Sequence, residues 1–218
     1  KGRLYRIAPP GVEWSVPKYD FASLAGCVAA LESPNQCARA TALERLAKEP
    51  AAAAVALDAA FAKAQNPRHR ARLAWAAGML PGQALSWIAR LASDSDENLR
   101  MVAIRLCRRV EGDVLGLVEK LAADPVPAVR REGAIAVRGV VGERADRAWA
   151  ELAAQHTAGD RWELEALGIG ADGATGLAGE SQWNSRLAAW RVKVGDGWKS
   201  PAGREIVWRS RADSTPQL

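Results

Sequence analysis

The chain has 218 residues, 49% hydrophobic and 25% charged, with a net charge of +5 and a sequence pI near 9.4. That is enough chain to bury a sizeable core, and the balance is ordinary for a globular protein. No apolar run is long enough to span a bilayer, and the mild basicity is explained more simply by an arginine-rich helical surface than by a polyanion ligand.

Residues 1–19 read as an extended segment. Gly2 to Ala8 alternates polar and apolar residues as a short strand does, and Pro9-Pro10-Gly11 and Pro17 then interrupt regular structure. The chain starts at Lys1 with neither Met nor a signal peptide, as an excised or processed piece would.

From Phe21 onward, apolar residues recur at helical steps. The spacing predicts five helix pairs: 21–32 with 35–48, 51–65 with 68–80, 83–92 with 97–110, 114–123 with 127–140, and 144–156 with 160–169. Gly168 to Gly179 holds five glycines and reads as a loop. It has neither the preceding strand nor the following Lys and Ser or Thr of a phosphate cradle. Helices are expected again at 182–192 and from Ser200-Pro201, with a turn at 194–198 between them and a tail from Asp213 to Leu218.

Four of the pairs share one internal phrase. Ser33-Pro34 leads to Arg39, Asn66-Pro67 to Arg72, Asp94-Ser95 to Arg100, and Asp124-Pro125 to Arg130. Each has a capping residue, then Pro or Ser, then an Arg six residues after the cap. The arginines are 33, 28 and 30 residues apart, the mark of a repeat array. The fifth pair has Asp160 as a cap but no Arg at the matching place.

This pattern resembles HEAT repeats of the shorter, HEAT-like kind, over roughly residues 20–170. The resemblance implies an all-α, right-handed α-solenoid of about five helix pairs. Residues 171–218 would add a Gly-rich loop and a Trp-rich helical cap.

Three sets of side chains are candidates for chemistry. The first is the ladder Arg39, Arg72, Arg100 and Arg130, with Asn66, Asp94 and Asp124. It is expected to tie neighbouring units through charge-assisted hydrogen bonds rather than to hold a ligand. The second is Arg68, Arg70, Arg105, Arg108, Arg109, Arg131 and Arg138. These lie on successive second helices, which in HEAT arrays line the concave side, so a basic groove for a nucleic-acid backbone is conceivable. No aromatic–carboxylate cluster accompanies them. The third is Trp149, Trp162, Trp183, Trp190, Trp198 and Trp208, read as a capping core in preference to stacking platforms.

Cys27, Cys37 and Cys107 have no metal or haem spacing. Cys27 and Cys37 could bridge in an oxidising compartment, though small core residues are the favoured reading. His69 and His156 stand alone, so no metal site and no cofactor are expected. No Ser/His/Asp, Cys/His or paired-carboxylate set can be assembled.

The flanks carry a second resemblance. Gly2 to Ile7 followed by Pro-Pro-Gly looks like the last strand of a sugar-dehydrogenase-type β-propeller. Residues 160–170, Gly195-Asp196-Gly197-Trp198 and 201–210 resemble the region between propeller and cytochrome in membrane-bound-dehydrogenase-like proteins with a PVC-type haem-binding domain. The resemblance implies export to the periplasm or beyond, with catalysis and haem outside this stretch. The expectation is therefore a non-catalytic scaffold for protein–protein or interdomain contacts inside a larger redox protein. The runner-up is a basic module that binds nucleic acid, and a free-standing enzyme comes third.

Overall fold

In the computed structural model, the residues described are 2, 9–11, 15–172 and 182–210. The strand expected over residues 2–8 lies, Gly2 apart, outside them, as do residues 173–181 and the tail. Among the described residues the regular structure is helical throughout. The helices are α1 (Leu24–Ala30), α2 (Gln36–Leu46), α3 (Pro50–Lys63), α4 (Pro67–Gly78), α5 (Ala84–Leu91) and α6 (Glu97–Arg109). There follow α7 (Val114–Leu121), α8 (Pro127–Ala136), α9 (Glu143–Ala154), α10 (Arg161–Ala171), α11 (Trp183–Val194) and α12 (Pro201–Ser210). A 3-10 turn at Gly195–Lys199 joins the last two. None of these helices is long and apolar enough to cross a membrane.

Local chemistry explains where the helices start. Ser23, Asn35, Asn66, Asp96, Asp113 and Asp160 each accept a backbone N–H of the turn they open. Pro50, Pro67 and Pro127 take first positions, where the missing N–H costs nothing. Helix α1 begins at Leu24 rather than Phe21 because Asp20 folds back on the Ala22 and Ser23 N–H groups, at 2.8 and 3.3 Å.

Consecutive helices pack as pairs, α1 with α2, α3 with α4, α5 with α6, α7 with α8, and α9 with α10. The second helices also touch one another in turn: α4 meets α6, α6 meets α8, α8 meets α10 and α10 meets α12. On the other side α1 meets α3, α7 meets α9 and α9 meets α11. One apolar cluster runs through the pairs from Cys27 to Ile206, with Leu57, Leu73, Leu99, Ile104, Val118 and Trp149 fully buried along it. Removing that surface from water is the main force holding the pairs together.

Two expectations for the C-terminal third are corrected. The glycine-rich loop does not begin at Gly168, because α10 continues to Ala171. A Cβ at Gly170 would lie 2.4 Å from the Ala134 carbonyl oxygen, and one at Gly168 would lie 2.3 Å from the Arg209 guanidinium. These glycines allow α8 and α12 to approach, so close packing, not loop propensity, explains them.

The six tryptophans also divide. Trp149, Trp183 and Trp190 are buried, with Trp149 edge-on to Trp183 at 5.6 Å. Trp198 is half-buried, and Trp162 and Trp208 are exposed. Beside Trp183 and Trp190, α11 is held by Arg186, which is fully buried. It donates to the carbonyls of Gly170, Val137 and Val140 and to Gln182 Oε1. Burial pushes its pKa down to about 10, so it stays charged near neutrality.

Candidate functional site

The ladder forms, in a different register from the sequence phrase. Ser33, Asn66, Asp94 and Asp124 do share one role: each side-chain oxygen accepts the backbone N–H two residues on, at 3.1, 3.0, 3.0 and 2.9 Å. Only Asn66 is itself the N-cap, however. The caps of α2, α6 and α8 are Asn35, Asp96 and Val126, so Ser33, Asp94 and Asp124 sit two residues before the caps.

The cause is loop length. Residues 31–35, 92–96 and 122–126 are five-residue connections, whereas 64–66 has three. Counted from the true cap, the fourth residue is Arg39, Arg70, Arg100 and Arg130, at spacings of 31, 30 and 30. Arg70, expected on the concave face, is therefore the ladder member of its unit. It donates to Asp94 at 3.0 Å, as Arg100 donates to Asp124 at 2.6 and 2.9 Å. Arg130 continues the series to Glu163 at 2.7 Å instead of to Asp160.

The caps also place the face that the second helices share. On α4, α6, α8 and α10, residues five, six and nine positions after the cap, joined by the second position on α8 and α10, recur in the lining of two adjoining cavities. Helix α2 enters one position earlier, with Arg39, Ala40 and Leu43. One, of about 390 Å³, lies between α2, α4 and α6 and is lined by Arg39, Ala40, Leu43, Ala71, Arg72, Trp75, Val102 and Arg105, among others. The next, of about 600 Å³, lies between α6, α8 and α10, with Met101, Arg105, Arg131, Glu132, Ile135, Trp162 and Glu165 in its wall. Arg105 belongs to both, so the cavities form one groove.

Of the seven arginines expected on this face, Arg105 and Arg131 line the groove, and both are neutralised. Arg105 meets Glu132 at 2.6 Å, and Arg131 meets Asp160 at 3.6 Å. Arg68, Arg108, Arg109 and Arg138 are exposed outside the two linings, and Arg70 sits over the Phe61 ring at 4.5 Å. Helical facing accounts for this: Arg108 and Arg109 fall in the last turn of α6, and Arg138 lies past the end of α8.

The groove instead gains Arg39 and Arg72 from the sequence ladder. Arg72 does not reach Asn66 or Asp94; its Nη1 donates to the carbonyls of Leu31, Glu32 and Ser33 at 3.2, 2.8 and 3.1 Å. Trp75, Met101 and Trp162 were missed as groove residues. Counting from the caps would have found them.

A second polar cluster lies among the C-terminal helices. His156 Nε2 lies 2.8 Å from Glu205, and its Nδ1 lies 3.6 Å from Glu163, which also holds Arg130. Burial alone would push the imidazole down. The carboxylate of Glu163 beside Nδ1 and that of Glu205 hydrogen-bonded to Nε2 outweigh it and hold the pKa above the ordinary value. His156 and Glu163 are buried and Glu205 is half-buried, so the cluster ties the residue just past α9 to α10 and α12. The three cysteines are free, Cys27 and Cys107 buried and Cys37 exposed, so Cys37 is not the core residue expected. Among the described residues, no group of three or more His, Cys, Asp or Glu could hold a metal ion.

The class that emerges is an all-α protein whose second helices share an apolar groove edged with arginine. Comparison with protein-family models, with curated proteins and with solved structures gives no match.

Proposed function

We propose that the chain is a HEAT-like array that acts as a scaffold and docking module, without chemistry of its own, for protein or interdomain contacts inside a larger exported redox protein. The observation that carries the reading is the groove. It is formed by the same cap-relative positions on α4, α6, α8 and α10, with α2 adding Arg39, Ala40 and Leu43, and its floor is apolar. Partner segments are held in such grooves by a few buried apolar anchors with polar groups at the edge. The Trp149, Trp183 and Trp190 cluster with Arg186 would then close the end of the array, as terminal units must.

Nucleic acid is the weaker reading. A duplex needs several free cations in a row along its phosphates, and Arg105 and Arg131 already hold carboxylates.

The coding sequence on both sides tests the proposal. A β-propeller before Lys1 and a CxxCH haem motif after Leu218 are expected, and unrelated neighbours would overturn the redox setting. A fluorescent DNA duplex should not bind at low salt; tight, steeply salt-dependent binding would favour the alternative.

A further inference from the structure

We infer that Arg39 and Arg72 form a carboxylate receptor at the edge of the α2–α4–α6 cavity, and that its ligand is an acidic peptide segment carrying a large apolar side chain. This rests on the docking reading above and makes it specific.

The two guanidinium groups converge on one atom. Arg39 Nη1 donates to the Ser33 carbonyl at 2.8 Å, and Arg72 Nη1 donates to the same oxygen at 3.1 Å. Like charges held this close repel unless an anion joins them. Elsewhere in the molecule the matching arginines have their anion: Arg70 has Asp94, Arg100 has Asp124 and Arg130 has Glu163. Among the described residues, no carboxylate lies within 4.0 Å of Arg39 or Arg72. Their hydrogen bonds to described residues all leave from Nη1. The Nε–Nη2 edge, which can grip a carboxylate with two parallel bonds, makes none among the described residues.

The space beside this pair says what accompanies the carboxylate. Leu43, Ala71, Trp75 and Val102 give the cavity an apolar floor, and no Asp or Glu is in its lining. Its volume of about 390 Å³ is within the range of ligand pockets, roughly 300–1,000 Å³. An aliphatic or aromatic side chain fits the floor while a neighbouring Asp or Glu reaches the arginines. A nucleic acid would leave this floor unused.

The test begins with a phage-displayed random peptide library panned against the full chain. The enriched peptide is then made with a fluorescein label and titrated by anisotropy. The expected sequences pair Asp or Glu with a large apolar residue. Arg39→Gln and Arg72→Gln should each weaken binding by about tenfold, the loss of one charge-assisted contact. Arg72 also holds three backbone carbonyls, so Leu43→Glu, which keeps both arginines and puts a repelling carboxylate in the pocket, is the third variant. It should weaken binding at least as much, with an unchanged helical circular-dichroism spectrum. Enrichment of basic or uncharged peptides, or acidic peptides indifferent to all three variants, overturns the receptor and leaves the docking reading standing. A library that yields no binder counts against docking itself, and the receptor falls with it.

Discussion

Arg100 and Asp124 are joined across two consecutive helix pairs: Nε donates to one carboxylate oxygen at 2.6 Å and Nη2 to the other at 2.9 Å. Arg100 Nη1 meanwhile donates to the Asp94 and Ser95 carbonyls, both at 3.0 Å. One guanidinium thus closes its own loop and grips the next. Asp124 returns the grip by accepting the Val126 N–H at 2.9 Å. The side chains are 12% and 4% exposed, so little water competes. Breaking a buried pair by removing one partner typically costs about 3–5 kcal/mol, because the other charge is left buried and unpaired. Arg100→Ala should therefore lower the urea midpoint markedly. Arg70→Ala, at the equivalent but wetter place, should cost less. Equal midpoints for Arg100→Ala and the unaltered chain would show that the tie is not structural.

The His156 cluster predicts an alkaline limb in stability. The imidazole faces Glu163 and Glu205, and its folded pKa is raised above the ordinary 6.5. Its contribution is therefore fully present below about pH 6.5 and lost as pH rises through the folded value. Glu163 and Asp124 act in the opposite direction. Both are held below their ordinary 4.5 and 3.8, where hydrogen bonds outweigh burial. What they contribute is present above those values and lost as pH falls through the lowered ones. Stability should peak in the mildly acidic to neutral range. His156→Gln should flatten the alkaline side in a series of urea titrations, and an unaltered slope there would contradict the assignment.

Two glycines should respond oppositely to alanine. A Cβ at Gly170 meets the Ala134 carbonyl oxygen at 2.4 Å, backbone that cannot swing aside. Gly170→Ala should cost roughly 1–3 kcal/mol as α8 and α10 are forced apart. At Gly133, inside α8, the nearest atom is Leu152 Cδ2 at 3.6 Å, an ordinary contact. Gly133→Ala should stabilise by about 0.5–1 kcal/mol through the lower entropy of the unfolded chain. Thermal melts of the two variants check both signs.

Thiol labelling should separate the cysteines. Cys37 is exposed, whereas burial raises the pKa of Cys27 and Cys107 and keeps reagent out. A maleimide should modify Cys37 alone in the native protein and all three thiols in urea. Labelling of Cys107 at the same rate as Cys37 would mean that α6 opens readily.

The amino-acid sequence determined the helices almost unaided. Helical spacing of apolar residues, Asn and Asp caps and first-position prolines are local signals, and each acts within a turn or two of its own residue. It also revealed the period near 30 residues and the arginine that recurs with it. Tertiary structure decided which arginine belongs to the ladder, because the three-residue connection before α4 shifts Arg70 into the place that Arg72 holds in the sequence phrase. It decided that Gly168 and Gly170 continue a helix, since only a neighbouring helix, the Ala134 carbonyl of α8 at Gly170 and the Arg209 side chain of α12 at Gly168, can make a missing Cβ an advantage. It left Arg39 and Arg72 together at one carbonyl with an apolar floor beside them, because a groove exists only where helices distant in the chain are brought side by side.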